Sequence, residues 1–311
     1  MRGNFSMKGK GSIMKLNPIY QKELKTSVRT MRTAFIILGY NGLLALFGLF
    51  AFFITFRYDA RDMGIIQYAD ILDIYAIIAA TEFGLVLFAI PALTSASISG
   101  EREKQTLEIL LTTNVSPLKI ITGKLASSIS MMVLLAISSL PILGLVFSIG
   151  GVSLKDLLAF VLLIIVTAIF VGSIGMFFST LFKKTTLATV STYGALLFLT
   201  LGTLAILWGV SVIYELNMPA ITTLDTVYKE KADIGNALLL LVVNPAITCF
   251  SMIESQVGTG RELYNLFDNF GRVEASMFNN WFYISIGVQL FISTIFILLS
   301  GRLLNPLKKK R

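Results

Sequence analysis

Along this chain the apolar residues gather into long unbroken runs, without the alternation with polar residues that marks a half-buried strand or a surface helix. Six runs, residues 33–56, 74–98, 125–149, 157–182, 187–214 and 281–301, are candidates for transmembrane helices. A helix crossing about 30 Å of hydrocarbon needs about 20 mostly apolar residues, and it satisfies its own backbone polar groups where no water can. A seventh run, Ala237 to Phe250, is shorter and is interrupted at Asn244-Pro245, where proline removes a backbone donor. It reads as a re-entrant or interfacial helix. The pattern predicts an all-α integral membrane protein of six spans.

The polar stretches between the runs set the organisation. Residues 1–16 form a flexible leader, 17–32 an amphipathic helix, and 33–311 the transmembrane domain, with a loop at 99–124 and an outer segment at 215–280. The leader lacks the apolar core of a cleavable signal peptide, and Met7 and Met14 are alternative start positions.

Composition agrees with the pattern, since 55% of the residues are hydrophobic and 14% charged, against roughly a quarter charged in soluble domains. A net charge of +8 would suggest a nucleic-acid partner in a soluble protein. Here 19 of the 26 basic residues lie in 1–32, 99–124, 183–186 and 302–311, all on one side of the membrane if the amino terminus is cytoplasmic. Lys and Arg near span ends are retained in the cytoplasm, so both termini are expected there, in a cell membrane, with the bilayer rather than nucleic acid as partner. Asp59, Asp62, Asp70, Asp73, Glu215, Asp225, Glu230 and Asp233 then fall on the opposite side. The single cysteine, Cys249, has no internal disulfide partner, and the absence of histidine excludes a His-based metal site or catalytic triad.

In residues 17–32, Asn17 is a candidate N-cap with Pro18 at the first helical position. Tyr20, Leu24, Val28 and Met31 share one face, and Lys22, Lys25, Arg29 and Arg32 fill the rest, the pattern of a helix lying in a membrane interface. In the 99–124 loop, Glu101, Arg102, Glu103 and Lys104 open a helix with Leu107, Leu110 and Leu111 on one face, which breaks near Asn114. A second helix starts with Ser116 as cap and Pro117 at its first position, and Gly123-Lys124 leads into the third span. Such a leucine face packs under the bundle or against a partner.

Ionisable and hydroxylated residues inside the spans are rarer signals. Glu82 in the second span faces either a water-filled path or a bonding partner on a neighbouring helix. Pro91, nine residues later, predicts a kink. Thr189, Thr192, Thr200 and Thr203 lie along one stripe of the fifth span, which lines a path or packs against another helix. Gly172, Ser173 and Gly175 in the fourth span are close-packing residues.

The run GEREKQTLEILLTTNVSPLKIITGK, from Gly100 to Lys124, resembles the signature of the type-two (ABC-2) exporter permeases. Residues 17–24, NPIYQKEL, the six-span layout and the Asn-Pro before the last span are also similar. The resemblance implies that the loop is a coupling helix seated in a groove of a separate ABC ATPase, beside an amino-terminal connecting helix. By that resemblance Glu101, Arg102, Glu103, Thr106, Leu107 and Glu108 couple to the ATPase, and Ser116, Pro117, Gly123 and Lys124 frame the loop. It also implies a second permease subunit, the same chain or a related one, with Glu82, Thr189, Thr192, Thr200 and Thr203 near the path between them.

No phosphate-cradling G-x-x-x-x-G-K-[ST] loop occurs, and Leu125 follows Gly123-Lys124. The chain is therefore expected to be no enzyme and to bind no cofactor, with ATP and Mg held by the partner. With so little charge in the spans, amphipathic peptides, lipids or hydrophobic drugs are the expected cargo. The alternative is a non-transporting scaffold or regulatory subunit that anchors an ATPase or a sensor.

Overall fold

The computed structural model describes residues 17, 19–23, 30–59, 68–112, 115–149, 153–217, 221–223, 226–228, 235–258, 261–268, 270 and 280–304. The leader, the tail after Leu304, Asn114 and the acidic outer residues Asp62, Asp225, Glu230 and Asp233 lie outside them. Among the described residues six helices are long and apolar enough to cross a membrane. They are α1 (Met31–Asp59), α2 (Tyr68–Thr94) continued by the short α3 (Ser99–Glu103), then, after α4 (Leu107–Thr112), α5 (Pro117–Ile149) and α6 (Leu154–Leu181). The fifth unit is α7 (Thr185–Leu197), a π turn (Phe198–Gly202) and α8 (Thr203–Asn217) in series. The outer segment holds a small antiparallel ladder, β1 (Ile221–Thr223) and β2 (Thr226–Tyr228), with Ile221 opposite Tyr228. A 3-10 segment (Gly235–Val243) and α9 (Pro245–Val257) follow, bent by 87° at Asn244, then α10 (Arg261–Asp268) and the last span, α11 (Trp281–Leu304).

The helices outrun the apolar runs that announce them. Met31 and Arg32 belong to the first span rather than to the amphipathic stretch, of which residues 19–23 are helical while Pro18, Leu24, Lys25, Val28 and Arg29 lie outside the described residues. The fourth span starts at Leu154 because Ser153 and Asp156 form a reciprocal capping box. The helix expected to begin at Pro117 and the third span are one continuous 33-residue helix, since Lys124, the charge that seemed to divide them, is neutralised in place by two glutamates.

α6 is the hub. Some 67% of its most apolar stretch is buried, against 17% for α1, so α1 is left with one face toward lipid or another subunit. Tyr75, Ile78, Phe83 and Val86 of α2, Met132 and Leu135 of α5 and Phe160, Ile164 and Phe170 of α6 form the main core. Close approach on α6 depends on Gly175, where a Cβ would overlap the Thr94 hydroxyl of α2, and on Gly172, where it would stand 2.8 Å from a Leu125 methyl. A second core, with Leu207, Leu241, Phe267 and Trp281, lies toward the outer segment. The third sits under the loop and joins Ile98, Leu107, Ile120, Ile121, Leu125, Met176 and Leu304.

Candidate coupling site

The loop is mounted on the bundle from its first residue. Pro91 lies inside α2, which ends at Thr94; the chain then turns, and the N–H groups of Ile98 and Ser99 both donate to Ser179 Oγ of α6, at 2.8 and 3.0 Å. The three charged residues that follow go to three different helices. Glu101 pairs with Lys124 of α5 at 2.8 Å. Arg102 donates from Nη1 to the Phe182 carbonyl (2.8 Å) and from Nη2 to the Thr180 carbonyl (3.1 Å) at the end of α6. Carbonyls there have no N–H one turn ahead, and a cation is favoured at that end of the helix dipole. Glu103 accepts from the Thr185 N–H (2.8 Å) and the Thr185 hydroxyl (2.9 Å). Lys184, the residue at the capping position of α7, makes no side-chain cap, so Glu103 supplies the missing carboxylate at that helix start. The Thr185 N–H first, then its hydroxyl and the nearby Lys184 charge, hold the Glu103 carboxyl below the usual carboxylate range.

Lys124 also pairs with Glu23 of the amino-terminal turn at 2.7 Å, and its side chain is only 6% exposed. That turn crosses α5 at Gly123, where a Cβ would stand 2.8 Å from the Asn17 amide, and Asn17 Nδ2 donates to the Lys119 carbonyl at 2.6 Å. Asn17 also caps its own turn, accepting from the Ile19 N–H at 3.1 Å. Tyr20 Oη and Ser130 Oγ share a hydrogen bond at 2.9 Å farther along α5. Amino-terminal turn, loop and third span thus meet at one lysine.

The loop is two short helices, not one, because Gln105 takes a positive φ of 58° between α3 and α4. That left-handed conformation is costly for a residue with a Cβ, and the turn is held by the Thr106 N–H (2.9 Å) and hydroxyl (3.2 Å), which both donate to the Glu101 carbonyl. The turn aims Leu107 into the core, with Leu110 and Leu111 half-buried at its edge. Lys104, Gln105, Thr106, Glu108, Ile109 and Thr112 face outward, Ile109 with 69% of its surface exposed. Ser116 is exposed just before α5, and its carbonyl accepts the Ile120 N–H at 3.2 Å.

The profile of the family described as ABC-2 family transporter protein matches residues 17–300, from the amino-terminal turn almost to the end of α11. The chain belongs to the ABC-2 transporter family. Comparison with curated protein sequences gave no match. An ABC-2 chain with six such helices is a multi-pass membrane permease, the membrane component of an ABC transporter, a family whose members carry no ATPase site of their own and work with ABC ATPase subunits.

The residues singled out within this ABC-2 permease's spans are buried or half-buried. Glu82 is fully buried between α1, α2 and α5, where the Ser139 hydroxyl donates to Oε1 and Tyr40 faces the same carboxyl group. Thr192 and Thr203 are buried and Thr189 and Thr200 half-buried. The Thr192, Thr200 and Thr203 hydroxyls donate to carbonyls four residues back, at 2.7, 2.9 and 2.9 Å, and Thr189 Oγ1 shares a hydrogen bond with Ser95 Oγ at 2.9 Å. At the π turn, where the regular hydrogen-bond ladder loosens, Asn244 Nδ2 donates to the Thr200 carbonyl (2.8 Å) and Thr203 Oγ1 (2.9 Å). Asn244 Oδ1 meanwhile caps α9 through the Ala246 and Ile247 N–H groups.

Glu23, Thr185, Ile109 and Gln289 are absent from the sequence-derived set. Lys124 in an apolar setting was the signal for an acidic partner, and a glutamine midway along the last span was the signal for a polar contact.

Proposed function

We propose that this chain is one half of the membrane unit of an ABC exporter. Two copies, or this chain and a related one, pair in a cell membrane with both termini cytoplasmic, and an ABC ATPase sits against each 99–124 loop. ATP and Mg bind in the ATPase. Cargo is amphipathic or hydrophobic, in keeping with spans that carry little charge.

The observation that carries this reading is the two-sided build of the loop: Glu101, Arg102 and the exposed Glu103 bond back to α5, α6 and the start of α7, while Lys104, Thr106, Glu108 and Ile109 face outward. A surface pushed by an ATPase must be free on one side and rigidly mounted on the other, because coupling needs an element whose arrangement both sites bias. In this reading Thr106, Glu108 and Ile109 meet the ATPase. Glu101, Arg102, Glu103 and Lys124 pass its displacement to the spans, and Leu107, Ser116, Pro117 and Gly123 hold the loop in shape.

Co-purification from a membrane in which the chain is expressed with candidate ABC ATPases, followed by reconstitution into liposomes, tests the proposal. The expected result is a stable complex that moves an amphipathic dye on addition of ATP and Mg. A stable complex that hydrolyses ATP and moves nothing across a broad cargo panel supports the scaffold reading, and absence of any complex removes the coupling assignment.

A further inference from the structure

Opposite the loop, α11 turns a polar stripe inward. Trp281, Ser285 and Gln289 follow one another at four-residue spacing, so they share one helix face, and they are 1%, 0% and 0% exposed. Trp281 Nε1, Ser285 Oγ and Gln289 Oε1 have no hydrogen-bond partner among the described residues. On α6, the helix packed most extensively against α11, Thr167 Oγ1 is equally buried and equally open.

Rotating the Gln289 amide exchanges its open acceptor for an open donor and leaves the group unmatched either way. Its nitrogen donates to Thr248 Oγ1 at 2.8 Å, and that hydroxyl already donates to the Asn244 carbonyl at 3.0 Å. An exchanged oxygen would accept from that hydroxyl, whose proton can turn because the Asn244 carbonyl also accepts the Thr248 N–H at 3.2 Å, and the amide nitrogen would then be the open group. Buried polar atoms are nearly always paired with protein or with ordered water, and inside a bilayer an orphan is costly. Four on neighbouring helices call for a ligand that donates and accepts. The set holds one N–H donor, one open side of an amide and two hydroxyls, with no ionisable group, which matches water rather than an ion.

The stripe is covered from outside. Leu263 and Phe267 of α10 are buried, and the Phe267 ring centre lies 4.6 Å from that of Trp281, while Tyr264 and Asn265 on the same helix are exposed. We infer that α6, α11 and the bent 3-10/α9 hairpin enclose a hydrated chamber beneath α10, its water bound by Trp281, Ser285, Gln289 and Thr167. Water there gives the hairpin, joined to α11 through Gln289, a solvated backing rather than a dry one. The inference is independent of any ATPase partner.

Cysteine reactivity tests it in the full chain held in lipid nanodiscs. Cys249, the single native cysteine, is replaced by Ala, and either Ser285→Cys, which is near-isosteric, or Thr167→Cys, which removes one methyl, is introduced. Methyl methanethiosulfonate, small enough to follow water, attacks the thiolate, which forms in wet surroundings and not in apolar ones. Phe291→Cys, on the exposed apolar face of α11, is the dry reference, and Tyr264→Cys, on the exposed face of α10, the wet one. The chamber predicts that either inner cysteine is labelled about tenfold faster than the Phe291 position, because its thiol ionises. If both are labelled no faster than that reference while the Tyr264 position reacts, the chamber is dry and the inference fails.

Discussion

At the loop end of the bundle, Glu101, Arg102, Glu103 and Lys124 each have fixed partners within 3.1 Å, whereas at the far end Trp281, Ser285 and Gln289 keep polar atoms open in the interior. Charges that are matched across helices make one end move as a block. Neutral polar groups that are only partly matched leave the other end able to rearrange, because water can replace one of their bonds at small cost. A transporter driven from one end benefits from both properties, a stiff input and a yielding output.

Substitutions that unmatch the stiff end are expected to cost most. Lys124→Met leaves two carboxylates facing each other and is expected to lose about 3 kcal/mol, near the low end for breaking a buried pair because both glutamates keep some water. Thermal unfolding in detergent reads that loss, and a Lys124→Met, Glu101→Gln double variant recovers part of it. At the yielding end Asn244→Ala removes the α9 cap and takes from the Thr200 carbonyl its shorter donor, for about 2 kcal/mol. A loss of that size, with the hairpin becoming protease-sensitive before the rest of the chain, separates local from global loosening. Arg102→Ala frees the carbonyls that end α6 and is expected to cost about 1.5 kcal/mol, with Arg102→Lys recovering less than half because one ammonium replaces a two-pronged contact.

The smallest effect is a pH effect. Because the folded Glu103 carboxyl sits below its unfolded value, its stabilisation is complete above the ordinary carboxylate range and is lost as pH falls through the lowered folded value. Glu103→Gln should lower the midpoint slightly near neutral pH and meet the unaltered chain in acid, where Glu103 is itself protonated, so that part of the acid limb flattens in thermal scans. An unaltered acid limb would mean that the Thr185 contact contributes nothing to stability.

The six spans are legible because a bilayer accepts little else than apolar runs of that length. Their ends are less so, since they are set by individual side chains: Ser153 and Asp156 start α6 earlier than hydropathy implies, and Lys124 interrupts the run but not the helix. The break at Gln105 was not readable, because a left-handed turn is normally signalled by Gly or Asn and here it depends on contacts back to Glu101. The charged triplet stands out in sequence, yet its direction does not: only the fold brings Thr185 and the Phe182 carbonyl within reach of residues some 80 positions earlier. The threonine stripe is a real face whose hydroxyls mostly turn back on their own helix, a choice that periodicity alone does not express.

Ile109 offers the most direct test of the two-sided loop, because it is exposed and belongs to none of the three apolar cores among the described residues. The affinity of the detergent-purified Ile109→Asp variant for its ABC ATPase, measured beside its thermal midpoint, isolates docking from folding. We expect the midpoint to stay within about 0.5 kcal/mol of the unaltered chain, as for surface substitutions, while ATPase binding weakens at least tenfold. Unchanged ATPase affinity in a normally folded Ile109→Asp protein would contradict the account.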